Sequence, residues 1–370
     1  MNDIKFGTQI FYSQNYDFVR KKVKITSQEN WDAIWLPDHL STLPGSSTED
    51  FLSLWPMFGS IAELAKGMTF GSAVTEPHRY HPAVLAQLAT SVNHITGGNF
   101  ILGIGAGEGM NLKAYNIPYD HAITKMRECI ALMKMYWKKG TRVTFDGKFY
   151  QSKKAYLLPQ PLQELPVWVA GNSPKTRILT AELAEGWLPF STFFDVYKAG
   201  KEEIVDILKK EGRDIDKFTF GEYQRIYMEE DEKKINQYVM GAKLQLALSP
   251  RDLKTLGYWR DEFDQLYIEA TGYNPNEMSI LVIDRYDIPK FDMNKLSIIL
   301  DQIPESKVRE NILVGSKEEI IKKIQKFVDL GVQHYVLEII NGASSKNAPF
   351  TYWDVSRLIS DDVIPLFKNS

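Results

Sequence analysis

Apolar and polar positions along this chain fall into short buried runs that alternate with stretches of helical period. Ile4–Phe11 is a strand candidate, and Phe18, Val19 and Val23 mark one face of a helix after it. Ala33–Pro37 (AIWLP) is a second buried run, a helix follows through Phe51–Lys66, and Met68–Thr75 is a third strand. Pro82 suits the first turn of the next helix, whose Val84, Leu85, Leu88 and Val92 share a face until Gly97-Gly98 stops it. Phe100–Ile104 is a fourth strand, breaking into Gly105-Ala106-Gly107-Glu108-Gly109. Short, β-rich and bounded by glycine, it reads as a strand buried on both faces.

A helix over Thr124–Lys139 comes next, and Val143–Tyr150 reads as a surface hairpin. Val167–Ala170 is a fifth strand, leading through Gly171-Asn172-Ser173-Pro174 into a helix over Lys175–Ala184. Gly186-Trp187-Leu188 is a sixth strand, with a helix near Val196–Lys210. Phe218–Met228 is a seventh, with a helix over Glu232–Leu246. Ser249–Arg309 breaks the rhythm with scattered aromatics and prolines. Ser316-Lys317-Glu318-Glu319 is a capping box opening a helix with Ile320, Ile321, Ile324 and Phe327 inward. Gly331 ends that helix, His334–Ile340 is the eighth strand, and Trp353–Leu366 is a closing helix.

Eight strand–helix units without a fixed repeat predict parallel α/β structure, and eight is the number that closes a (β/α)8 TIM barrel. A doubly wound sheet is the alternative. The expectation is one barrel domain over 1–370 with an insertion at about 249–309. A long segment without alternation inside a compact domain is usually functional. This one is expected to fold partly as helix over the pocket and help exclude water.

Composition changes the picture little. With 44% hydrophobic and 25% charged residues, this is an ordinary globular chain able to bury a large core. A net charge of −3 gives no reason to expect nucleic acid or an anionic membrane as partner. No apolar run approaches bilayer-spanning length, and MNDIKFGTQIF lacks the basic-then-apolar pattern of a signal peptide, so a cytoplasmic location is expected. Cys129 sits among Met126, Ile130 and Met133 on a helical pattern, as a buried structural thiol does.

In a barrel the chemistry sits where strands end. Strand two ends in Asp38-His39, strand three in Ser72-Ala73-Val74-Thr75, strand four in Glu108 and Asn111, and strand five in Gly171–Thr176. A dinucleotide fingerprint does not fit, because the glycines run G-x-G-x-G-x-G and no acid closes a following strand at the right distance. A histidine and a carboxylate on neighbouring strands can supply acid and base. The plainer alternative is that Asp38 and His39 cap the next element. Gly171-Asn172-Ser173 before a helix offers backbone N–H groups to a phosphate, or Ser173 is an ordinary N-cap. His78 and His81 flank Arg79-Tyr80, but without cysteine or a carboxylate pair no metal site is expected. Neither a G-x-S-x-G elbow nor a P-loop lysine is present.

Together, the DH pair at Asp38-His39, SAVTEPHRYHPAVLAQLAT from Ser72, GIGAGEGMN from Gly103 and VAGNSP from Val169 resemble the luciferase-like oxidoreductases. Within them the likeness is to the branch using the deazaflavin coenzyme F420. That branch includes methylenetetrahydromethanopterin reductases, F420-dependent glucose-6-phosphate dehydrogenases and phthiodiolone ketoreductases. The likeness covers most of Lys5–Ile226 and resumes at Ile312–Ile340. It implies a (β/α)8 barrel with the cofactor at the C-terminal strand ends. By position, Asp38, Thr75, Ala106, Gly107 and Asn111 would contact the ring system, and Asn172, Ser173, Lys175 and Thr176 the phosphate tail. His39 and Glu108 match the proton-transfer residues of the sugar-phosphate branch. The Ser72–Ala73 bond matches a non-proline cis peptide that supports the ring from behind.

Three positions depart from that pattern. Leu43 stands where the sugar-phosphate enzymes place a tryptophan, and Phe190 and Phe193 where they place a threonine and a lysine. Losing two polar contacts disfavours a sugar phosphate. A larger, flatter acceptor such as a ketone, an enone or a pterin suits Phe190, Phe193 and Phe194 better. The resemblance therefore implies an F420-dependent oxidoreductase moving a hydride between the deazaflavin and a carbonyl, imine or activated C=C substrate, and a homodimer. One alternative is an FMN-dependent monooxygenase of the same family. The other, from a different class, is a non-catalytic flavin- or partner-binding barrel.

Overall fold

A computed structural model describes residues 4–10, 16–40, 52–158, 160–191, 193–276, 288–341 and 350–368. Phe11, Leu43 and Phe51 lie outside the described residues, as do 277–287 of the insertion. Eight parallel strands close on themselves: β1 (Lys5–Gln9), β2 (Ala33–Leu36), β3 (Thr69–Ser72), β4 (Phe100–Ile104), β5 (Val167–Val169), β6 (Gly186–Trp187), β7 (Thr219–Met228) and β8 (His334–Ile339). Each pairs with its neighbours in chain order. The ring closes where Lys5 of β1 pairs with His334 of β8 while Gly7 pairs with Ala33 of β2. The expected (β/α)8 barrel is therefore the fold.

Side chains fill the lumen, so the barrel has a floor and not a pore. Trp35 of β2 and Trp168 of β5 meet with ring centroids 5.5 Å apart, and His334 stands edge-on to both. Rings of that size leave room only for glycine on adjacent strands. A Cβ on Gly7 or Gly71 would come within 2.4 or 2.3 Å of Trp35. His334 Nε2 accepts from Trp35 Nε1 at 3.2 Å, and burial pushes the imidazole pKa down to about 4, which keeps it neutral.

The structure differs from the sequence reading in three places. The surface hairpin pairs Val143–Asp146 with Gln151–Ala155 and so runs past Tyr150. The second strand, QSKKA, is largely exposed and carries no apolar alternation to announce it. A short extra strand, Leu313–Gly315, pairs with Ile226–Met228 at the end of β7, beyond the reach of β6. The closing helix is broken into Tyr352–Leu358 and Ile364–Lys368 by a wider turn at Ile359–Val363, next to Pro365, which has no N–H to continue the ladder.

The insertion is partly helical, as expected. It folds into helices Pro250–Thr255, Phe263–Thr271, Met293–Leu300 and Glu305–Asn311. Phe263, Tyr267, Leu296, Ile299 and Val308 form one apolar cluster with Ile235 and Val239 of helix Glu232–Ala247. Its last helix ties to the β6 side, where Asn311 Oδ1 accepts from Phe194 N at 2.7 Å. These helices form a side wall at the C-terminal ends of β6 and β7.

Candidate active site

The GAGEG turn leaves the sheet after Ile104, and Glu108 precedes the short helix Gly109–Leu112. The Glu108 carboxylate does not cap that helix. One of its oxygens, Oε2, accepts from Asn111 Nδ2 at 3.1 Å, and the same amide nitrogen lies 3.1 Å from His39 Nδ1. Asn111 Oδ1 accepts from Leu40 N at 2.8 Å, which sets the orientation of the amide. Because an amide nitrogen can only donate, His39 Nδ1 is the acceptor, and the neutral ring carries its proton on Nε2. His39 Nδ1 and Glu108 Oε2 are 3.8 Å apart, with side chains 18% and 26% exposed, so the pair is sheltered yet reachable.

A denser network lies beside this pair. Asp38 is buried, and its carboxylate accepts from Thr75 Oγ1 at 2.7 Å and Tyr80 Oη at 3.3 Å. Arg79 Nη2 stands 3.3 Å from the same carboxylate and donates to the Asp38 carbonyl at 2.6 Å. Arg79 Nε donates to buried Glu76 at 2.6 Å, and Glu76 also accepts from the His78 backbone. Burial, with Asp38 adding to it, pushes the Tyr80 hydroxyl up to about 12. Asp38 is thus spent on the protein, while His39 next to it is presented to the mouth.

Two rings hold the GAGEG turn. His78 is half-buried, which lowers its pKa, and its Nε2 donates to the Ala106 carbonyl at 3.1 Å. Tyr119 Oη donates to the Gly107 carbonyl at 3.0 Å. These carbonyls lie just past the end of β4, where no strand partner reaches them. Gly107 has φ +89°, and a Cβ there would sit 2.9 Å from Leu112 Cδ1, so the position admits only glycine. Beneath the turn, Ser72 Oγ donates to the Gly103 carbonyl at 2.8 Å. The non-proline cis peptide lies between Ala73 and Val74, one bond later than the Ser72–Ala73 bond expected. Ala73 N still donates to the Leu36 carbonyl at 2.8 Å, so the chain leaves the sheet only after that point, and Thr75 rejoins through a bridge to Ile104.

The β5 loop abuts this turn, with Ala170 N donating to Ile104 O at 2.9 Å. Ser173 is an N-cap: its Oγ accepts from Thr176 N at 3.1 Å and meets Thr176 Oγ1 at 2.7 Å. Thr176 is buried, whereas Lys175 stands exposed in the first turn of helix Pro174–Leu183. Asn172 Oδ1 is buried without a hydrogen-bond partner among the described residues. Capping therefore accounts for Ser173 and Thr176 but leaves Asn172 and Lys175 unspent.

Across the mouth, Phe190 and Phe193 line a cavity of about 120 Å³ with Gln224, Arg225, Asp252 and Asn311. Phe190 packs on Tyr223 with centroids 4.7 Å apart. Tyr223 Oη donates to Glu338 at 2.6 Å, and Arg225 Nε reaches both oxygens of that carboxylate at 3.2 and 3.1 Å. Sequence reasoning missed Tyr223, Arg225 and Glu338, as well as the network roles of Glu76, His78, Arg79 and Tyr119. A charge inside a run otherwise expected to be buried was the available signal for Arg225 and Glu338. For Arg79, the signal was an acid three residues earlier. Among the described residues no three of His, Cys, Asp or Glu converge as a metal site, and no helix is long and apolar enough to cross a membrane. Cys129 is buried, which pushes its thiol up and leaves it inert.

The family model described as "Luciferase-like monooxygenase" matches residues 4–334, and the chain belongs to that family. A 5,10-methylenetetrahydromethanopterin reductase of Archaeoglobus fulgidus is 26% identical over 231 residues, covering 62% of this chain and 66% of the relative. An F420-dependent glucose-6-phosphate dehydrogenase of Microbacterium testaceum is 23% identical over 329 residues, 84% of each chain. Among solved structures, an F420-dependent secondary alcohol dehydrogenase in complex with an F420-acetone adduct superposes with a TM-score of 0.74 at 19% identity, over 100% of both chains. The F420-dependent tetrahydromethanopterin reductase from Methanopyrus kandleri gives 0.74 at 18% identity, over 99% of this chain and 100% of that one. At such identities the superpositions speak to the fold.

Proposed function

We propose that this luciferase-like chain is an F420-dependent oxidoreductase acting on a carbonyl, imine or activated C=C group. The observation that carries the reading is the convergence of His39, Asn111 and Glu108 beside a glycine turn braced from behind. The residues present fit a deazaflavin. The turn at Ala106 and Gly107 offers bare backbone, and Asn172 and Lys175 remain unspent at a helix start suited to a phosphate. When bound, F420 supplies or accepts the hydride.

The chain's own residues handle the proton. Asn111 donates to both His39 and Glu108, which keeps an imidazole nitrogen and a carboxylate oxygen facing each other. In the reducing direction the acceptor takes its proton from this pair. Asp38 anchors His39 through the Arg79, Thr75 and Tyr80 contacts. Phe190 and Phe193 form an apolar wall for the acceptor. Arg225 is the one cation among the described residues lining that cavity, which argues against a sugar phosphate.

The test is to titrate F420 and FMN side by side, then mix each reduced cofactor with cyclic ketones and enones, with and without oxygen. Deazaflavin oxidation that needs an acceptor and not oxygen supports the reading. Oxygen consumption with reduced FMN, together with no F420 binding at micromolar levels, overturns it in favour of a monooxygenase. Tight cofactor binding with no turnover on any acceptor favours a non-catalytic barrel.

A further inference from the structure

Arg225 lies on β7 inside the mouth, yet its charge is only partly used. The Nε edge of its guanidinium is bound by Glu338, whose carboxylate is itself shared with Tyr223 Oη. Among the described residues neither Nη atom has a hydrogen-bond partner, and the side chain is 25% exposed where it borders the cavity, against 7% for Glu338. The guanidinium carbon lies 5.1 Å from the Phe190 ring centroid, which fixes the plane of the fork. Burial works against the charge, but Glu338 more than offsets that, so Arg225 stays protonated. A fixed, planar, charged fork with its outer edge open matches a planar anion that can accept two parallel bonds.

We infer that Arg225 anchors the acceptor by a carboxylate, making the substrate an unsaturated or oxo carboxylic acid whose carbon skeleton lies between Phe190 and Phe193. This rests on the oxidoreductase reading and names the substrate class for it. The reaction balances as usual for such a group: the C=O or activated C=C gains a hydride and a proton, and the carboxylate is unchanged. A monoanion fits better than a phosphate. Arg225 is already half neutralised by Glu338, and no lysine joins it in the cavity wall. Asp252 also lies in that wall. Burial pushes its carboxyl up to about 6, with Arg251 and Arg177 pulling the other way, so a second negative charge on the ligand is repelled near neutrality. Gln245 lines the same wall, while the amides of Asn311 and Gln224 are held by the protein's own groups.

The experiment is calorimetric binding of cinnamate and its neutral amide, cinnamamide, to the full chain, alone and with F420. Cinnamate is expected to bind at least tenfold more tightly than the amide, and Arg225→Met to erase the difference. Because Arg225→Met leaves Glu338 buried without its cation, the double change Arg225→Met with Glu338→Gln removes both charges and keeps the test open if the single variant misfolds. Arg225→Lys is expected to keep less than a third of the preference, since a point charge cannot reproduce the fork. Equal or undetectable binding of both probes, or a preference that survives Arg225→Met, overturns the inference. F420 binding and ketone reduction persisting in that case leave the proposed function standing. A cinnamate preference with no F420 binding does the reverse.

Discussion

The two halves of the barrel mouth are built on opposite plans. On the β2–β4 side, Asp38, Glu76, Arg79, Thr75 and Tyr80 satisfy one another at short range, and His39, Asn111 and Glu108 rest on that frame. On the β6–β8 side the wall is aromatic, and its polar cluster of Tyr223, Arg225 and Glu338 leaves one edge of a cation open. The first plan suits a reaction centre, where a proton must be held at a fixed atom and reorganisation is costly. The second suits a selector, where shape and one charge decide what enters. A network with every partner satisfied resists change, whereas a cavity with spare capacity can be retuned by one substitution. The departures from the sugar-phosphate pattern at Phe190 and Phe193 fall on the selector side.

The sharpest way to break this contrast is at the reaction centre. His39→Ala and Glu108→Gln are each expected to lower turnover by about 10²–10⁴ while F420 affinity stays within an order of magnitude. Steady-state kinetics beside cofactor titration checks this, and near-normal turnover in both would end the assignment. Next in size is the frame itself. Arg79→Leu leaves the Asp38 and Glu76 carboxylates buried without their cation and is expected to cost about 3–5 kcal/mol of stability by urea unfolding. A loss under about 1 kcal/mol would show that the network is not the rigid side.

The floor beneath both halves responds to acid. His334 is neutral in the fold, with its pKa lowered to about 4, whereas the unfolded chain takes up that proton near the ordinary value of 6.5. The unfolded state therefore binds more protons between those values, and stability falls as pH drops from 6.5 towards 4, by at most about 1.4 kcal/mol per pH unit. His334→Gln should flatten that slope in denaturation curves recorded across the window; an unchanged slope would assign it to other groups. Smallest is the selector wall. Phe190→Ala is expected to change the ratio of kcat/KM between a bulky and a small acceptor by about tenfold, through a cavity-sized change in contact, while leaving F420 affinity unchanged. An equal loss on both acceptors would instead make Phe190 part of the general scaffold.

Much of this was legible along the chain because it is local. The run Phe100–Ile104 and the glycines after it announce a buried strand and a tight turn within a dozen residues. Ser316 and Glu319 form the capping box that their spacing predicts, with Glu319 Oε2 accepting from Ser316 N at 3.0 Å. His39, Glu108 and Asn111 could be named because each follows the end of a strand, and strand ends can be read from hydrophobic pattern. The exposed strand Gln151–Ala155 and the three-residue strand Leu313–Gly315 could not, since neither has an apolar period long enough to detect.

The amino-acid sequence by itself determined the eight-unit rhythm, the barrel that rhythm closes, and the residue types available at each strand end. Hydrophobic period and turn chemistry act over a few residues, so one chain suffices to read them. Only the tertiary structure decided which atoms meet. It placed one amide of Asn111 between an imidazole 72 residues away and a carboxylate three residues away. It moved the cis bond to Ala73–Val74, and it brought Arg225 to Glu338 across a separation of 113 residues. Such contacts depend on how neighbouring strands are registered and on which lumen side chains leave space, and closing the barrel sets both at once.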